Sequence, residues 1–193
     1  MNLPNKISVA RIILVPIVIA LYLLAILVDG LEYFKLISLG LLVVSEATDF
    51  LDGYLARKNN QVTDLGKFLD PIADKVLTLS TLLLVVVDFT LPFPYGVIAY
   101  LIILARELII SSFRQIAATK NVVMAADKLG KLKTIFLDIA IPGLFLLSYL
   151  NTTNLDLFRT VVMYISYIFM GLSVLLTIIS GINYLIKNKN VLK

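Results

Sequence analysis

The chain has 193 residues, of which 60% are hydrophobic, and a mean hydropathy of +0.96; a soluble domain is ~45–50% apolar, so an ordinary water-facing globule is excluded. The net charge of +4, from 17 basic and 13 acidic residues, acts in so apolar a chain as a topology signal and an attraction to anionic headgroups, and no nucleic-acid partner is expected. Cysteine and histidine are absent, which excludes thiolate, imidazole and Ser–His catalysis, restricts any metal to oxygen ligands and leaves a carboxylate, Lys or Tyr as general base.

Residues 1–11 (MNLPNKISVAR) lack a signal-peptide pattern, and no removed targeting segment is expected. They read as a short interfacial segment, with Leu3 and Ile7 dipping toward lipid and Asn5 or Ser8 capping a helix start. Six hydrophobic segments follow. The first covers about residues 12–28, with Pro16 as a kink. The second begins near Tyr33 and runs into a polar stretch at 46–57. The third covers about 68–87. The fourth follows the break Leu91-Pro92-Phe93-Pro94 and reaches Arg106 or beyond. The fifth covers about 134–150, around Pro142, and the sixth 160–186. A span needs ~20 mostly apolar residues. A barrel would instead show alternating segments of about ten residues. The expected fold is therefore an all-α integral membrane protein, one domain over residues 1–193. It has six transmembrane helices and a short N-terminal interfacial segment.

Lys and Arg set the orientation. With six spans, Lys6, Arg11, Arg57, Lys58, Arg114, Lys131 and Lys187 share a side with both termini, whereas Lys35 and Arg159 lie opposite. By the positive-inside rule both termini are cytoplasmic. Arg106 falls inside the membrane, where pairing with Glu107 would offset the cost of an isolated charge. Small residues of the sixth segment (Gly171, Ser173, Ser180, Gly181) could pack against a neighbour.

The anomaly lies in the second and third segments, which carry Glu46, Asp49, Asp52, Asp64, Asp70 and Asp74. An acidic side chain costs ~2.5–3.5 kcal/mol at the centre of a membrane helix, so this cluster calls for a cation or a water-filled cavity. Asp49 and Asp52 stand ~60° apart on a helix, and Asp70 and Asp74 ~40° apart. Two neighbouring antiparallel helices would bring both pairs together at the cytoplasmic end. Four converging carboxylates suit one or two Mg²⁺ or Mn²⁺ ions. Gly53 and Ala56 lie on the same face and would let a flat ligand approach the backbone, while Arg57 adds a phosphate-binding fork.

Asp49-x-x-Asp52-Gly53-x-x-Ala56-Arg57, eight residues, Gly66, three residues, Asp70, three residues, Asp74 resembles the complete signature of the CDP-alcohol phosphatidyltransferases, and the six-segment layout is similar over the whole chain. The resemblance implies CDP-diacylglycerol as donor, with its CDP part against the Gly53/Ala56 face. It implies two divalent cations held by the four aspartates, CMP as leaving group, and a homodimer in the cell membrane with a cytoplasmic active site. Asp49, Asp52 and Asp70 correspond to metal ligands. Asp74 corresponds to the general base, with contact to metal as well. Asp52, Gly53, Ala56, Arg57 and Gly66 correspond to the donor-nucleotide site.

A second constellation addresses the acceptor. Arg114, Lys131 and Lys133 fall on the cytoplasmic side, and a basic pocket beside a metal site suits an acceptor with its own phosphate. The pattern Arg106-Glu107, Ser111, Arg114 and Gly130-Lys131-x-Lys133-Thr134, with the N-terminal run, is similar to the branch of the family that uses glycerol phosphate. It implies sn-glycerol 3-phosphate as acceptor and phosphatidylglycerol phosphate as product. Inositol phosphate, serine or phosphatidylglycerol are the alternative acceptors, and a divalent-cation carrier is the alternative of another class.

Overall fold

A computed structural model describes the backbone of residues 3–58, 64–120 and 128–188, with side chains described for 7–48, 69, 71–120 and 129–188. The described residues form six helices: α1 (Leu3–Leu27), α2 (Phe34–Lys58), α3 (Asp64–Val87), α4 (Tyr95–Thr119), α5 (Lys128–Leu150) and α6 (Asp156–Lys187). No strand occurs among the described residues. Each helix contains one of the six hydrophobic segments, as expected where backbone polar groups must be satisfied within the segment. Among the described residues four stretches are long and apolar enough to cross a membrane: Ile7–Leu27, Tyr95–Thr119, Leu129–Leu150 and Asp156–Lys187. α2 and α3 are of similar length, 25 and 24 residues, and their described side chains cover only residues 34–48 of α2 and residues 69 and 71–87 of α3.

The N-terminal region departs from expectation. α1 runs unbroken from Leu3, so Asn5 and Ser8 lie inside a helix rather than at its cap, and Ser8 and Arg11 are buried. α3 and α5 also begin earlier than their apolar segments, at Asp64 and Lys128. Once a turn is nucleated, each further residue adds a hydrogen bond, so helices extend through polar turns that a hydropathy reading leaves out.

α5 packs most extensively on α6. α1 lies against both α2 and α3, α5 touches the same two, and α4 contacts α3 and α6. The core draws Val18 and Tyr22 from α1, Leu42 from α2, Leu82 and Val85 from α3, Ile103 from α4, and Leu137, Ile141 and Phe145 from α5. α6 contributes small buried side chains, among them Ser166, Ser173, Thr177, Ser180 and Gly181. Ser173 Oγ donates to the Lys133 carbonyl of α5 at 3.2 Å. Ser173, Ser180 and Gly181 therefore pack inside the chain, whereas nothing lies within 4 Å of a Cβ placed on Gly171.

One end of the bundle is tied by a polar clasp. Asp88, just past α3, accepts hydrogen bonds from Tyr22 of α1 at 3.1 Å, from Lys35 of α2 at 3.2 Å, from Thr90 at 3.1 Å and from Ser148 of α5. Lys35 also donates to the Ser148 carbonyl at 3.4 Å, and Tyr167 of α6 donates to the Thr90 carbonyl at 2.8 Å. The adjacent α1–α2 turn uses Gly30 at φ 85°, a left-handed conformation that glycine adopts without steric cost. There the backbone N–H groups of Glu32 and Gly30 donate to the Glu32 carboxylate and hold it below its ordinary range. At the opposite end α2, α4 and α6 finish and α3 and α5 start.

Candidate functional site

Where α3 and α5 start, these two helices, α4 and α6 surround a cleft of about 230 Å³. α3 lends Asp74 and Lys75, α4 lends Arg106, Glu107 and Arg114, α5 lends Lys131, Lys133 and Thr134, and α6 lends Tyr184. The sequence spacing explains part of the α5 contribution: Gly130, Lys131 and Thr134 fall within ~100° of one another around the helix at i, i+1 and i+4. A smaller cavity of about 30 Å³ shares Asp74, Lys75, Glu107 and Lys133 with the cleft and extends to Asp138.

The cations of the cleft are held in defined places. Glu107 Oε1 accepts from Arg106 Nη1 at 3.0 Å and also from Lys133 Nζ. Lys133 is only 3% exposed. Lys75 Nζ donates to Ser111 Oγ, one turn beyond Glu107 along α4. Arg114 Nε donates to Tyr184 Oη at 3.2 Å, and its guanidinium stands 5.5 Å from the centre of that ring, a cation–π contact. Arg106 threads between two glycines. A Cβ on Gly181 of α6 would stand 3.2 Å from its Cγ, and one on Gly130 of α5 would stand 3.4 Å from Nη2.

The acidic side of the site is described in part. Asp74 is exposed and lines the cleft. Glu46 of α2 lies within electrostatic reach of Asp138 and Asp74, so carboxylates from α2, α3 and α5 approach one another. The backbone places Asp49 and Asp52 further along α2, and Asp70 one turn before Asp74 on α3. The side chains of Asp49, Asp52, Gly53, Ala56, Arg57, Gly66 and Asp70 lie outside the described residues. Among the described residues no three acidic side chains group closely enough to hold a metal ion. Carboxylate oxygen is the only strong anionic donor available to the site, which fits hard cations of the Mg²⁺ or Mn²⁺ kind.

Of the residues singled out in sequence, the structure joins Asp74, Arg114, Lys131 and Lys133 in one cleft. Lys133 arrives there already bound to Glu107. Sequence reasoning overlooks Asp138 and Lys75. The signal for Asp138 is its place as the one charged residue of an otherwise apolar segment, 134–150, four residues after Thr134. Lys75 has only its place beside Asp74 to mark it.

A family model described as CDP-alcohol phosphatidyltransferase matches residues 1–179. Among curated proteins the chain is similar to the CDP-diacylglycerol–glycerol-3-phosphate 3-phosphatidyltransferase of Bacillus subtilis, at 37% identity over 100% of this chain and 97% of the relative. It is similar to the protein of the same name from Rickettsia typhi, at 37% identity over 95% and 94% of the two chains. The protein of that name from Haemophilus influenzae is 36% identical over 95% and 91%.

Proposed function

The chain belongs to the CDP-alcohol phosphatidyltransferase family, and on that premise we propose that it transfers the phosphatidyl group of CDP-diacylglycerol to sn-glycerol 3-phosphate, releasing CMP. The observation that carries the acceptor assignment is the shared cleft, in which the carboxylate of Asp74 stands with Arg114, Lys131 and Lys133. A hydroxyl nucleophile needs a proton acceptor, and a cation cluster beside it suits an acceptor that carries its own phosphate. The names of the relatives support the same acceptor.

In this reading Arg114, Lys131 and Lys133 bind the acceptor phosphate and orient the free hydroxyl toward Asp74. Asp74 takes the hydroxyl proton as the acceptor oxygen bonds to the phosphorus that bears diacylglycerol. The bond from that phosphorus to the bridging oxygen breaks, and CMP leaves with the electron pair. Asp52, Gly53, Ala56, Arg57 and Gly66 form the donor-nucleotide site. Asp49, Asp52, Asp70 and Asp74 would hold one or two Mg²⁺ or Mn²⁺ ions, which when bound neutralise charge on the pyrophosphate. The protein is a single domain, crosses the cell membrane with all six helices and places both termini and the cleft on the cytoplasmic side. It works as a homodimer.

The test is an acceptor panel on purified protein in detergent, with CDP-diacylglycerol, Mg²⁺ or Mn²⁺ and one alcohol per reaction, reading CMP. Release with glycerol 3-phosphate alone is expected. Release with a different alcohol would move the acceptor and leave the family chemistry in place. No release with any alcohol, from folded and metal-loaded protein, would overturn the reading.

A further inference from the structure

Glu107 is an acid in the wall of a site read as an anion site. Its own charge repels a phosphate, so its presence calls for a reason. One oxygen, Oε1, serves both Arg106 Nη1 and Lys133 Nζ, and Lys75 lies within electrostatic reach of the same carboxylate. Two bonded cations against one anion leave a surplus positive charge, and both cations line the cleft.

The geometry separates this group from an ordinary ion pair. The Arg159–Asp156 pair, spaced i,i+3, has side chains 39% and 78% exposed, and such surface pairs contribute ~0–1 kcal/mol. In the cleft the side chains of Lys133, Arg106 and Glu107 are 4%, 14% and 16% exposed. Gly130 and Gly181 leave the gap through which Arg106 passes, and Arg106 Nε is buried with no hydrogen-bond partner among the described residues. A partly desolvated surplus cation is costly by itself and is relieved by an anionic ligand.

We propose that Glu107 is a positioning residue for the acceptor: through Oε1 it holds Arg106 and Lys133 side by side against their mutual repulsion, and this arrangement selects an acceptor that carries a phosphate. The inference rests on the proposed transfer to glycerol 3-phosphate and adds Arg106 and Glu107 to the residues that govern it.

Two opposite signs distinguish positioning from mere proximity. If Glu107 only contributed charge, removing it would strengthen attraction for the anionic acceptor and lower its KM. If it positions, the cations separate and the acceptor KM rises. The experiment compares wild type with Glu107→Gln and Glu107→Asp, measuring CMP release against both substrates, with thermal unfolding as the check of fold. Glu107→Gln is expected to raise the glycerol 3-phosphate KM at least about tenfold, the order expected when one member of a buried charge pair is removed. The CDP-diacylglycerol KM stays constant, and Glu107→Asp recovers part of the loss. An unchanged or lowered acceptor KM, or a donor KM that rises in step, overturns the proposal. Should Glu107→Gln not fold, Glu107→Asp is judged by the same criterion. Wild-type silence with glycerol 3-phosphate would sink the functional reading itself, whereas a working wild type with an indifferent Glu107→Gln sinks only this inference.

Discussion

At the scale of single residues, charge in the wrong solvent is the signal. Asp74 is legible in sequence because a carboxylate in a membrane helix needs a compensating partner. The cleft places it, exposed, among cations. For Asp74→Asn we expect turnover to fall at least about 10²-fold, the lower range for loss of a general base, while CDP-diacylglycerol binding changes little. Single-turnover kinetics beside donor binding to the purified variant would check this. Equal losses in both would reassign Asp74 to ligand binding. Glu107 and Lys133 are legible as charges but not as partners, because they are 26 residues apart and no local spacing connects them.

At the scale of elements, helix existence follows from the apolar runs, and helix contacts follow from small residues. A Cβ on Gly143 of α5 would collide with Ser166 Oγ of α6 and stand 3.4 Å from Ser166 Cβ. The two backbones approach closely there, as small residues in membrane helices allow. Gly143→Val is expected to destabilise the protein by ~1–3 kcal/mol, the usual cost of overpacking. Adding Ser166→Ala should recover part of it. Thermal unfolding in detergent measures both, and an unchanged midpoint for Gly143→Val would show that the helices part without penalty.

At the scale of the whole molecule, two polar assemblies sit at opposite ends of the bundle. One end carries the cleft. The other carries Asp88, which ties α1, α2, α5 and the α3–α4 connection together. In sequence Lys35 is only a charge on the less basic side. In the structure it is 6% exposed and paired with Asp88. Asp88→Ala leaves that ammonium buried without its carboxylate, and breaking a buried pair in this way costs ~3–5 kcal/mol. Lys35→Met combined with Asp88→Ala should regain part of the loss, because both charges are then gone while Tyr22, Thr90 and Ser148 still lack their acceptor. The midpoint of unfolding for the two variants decides it: equal destabilisation in both would mean that the hydrogen bonds of Tyr22, Thr90 and Ser148 to Asp88, not the ion pair, hold this end.

Composition and spacing alone determined that the chain is helical and apolar enough for a membrane. They determined that any metal is limited to oxygen ligands and any general base to a carboxylate, Lys or Tyr, and that the aspartates fall one turn apart on two helices. These properties are local: hydropathy is a sum over neighbours, and helical register is set by the backbone. Tertiary structure decided which charges meet. Arg106 lies in a gap made by glycines on two other helices, Lys133 reaches Glu107 from α5, and Asp138 comes within electrostatic reach of Glu46. Such pairings depend on how helices distant in sequence rotate against one another, and that rotation is set by packing along their whole length rather than by any short stretch of residues.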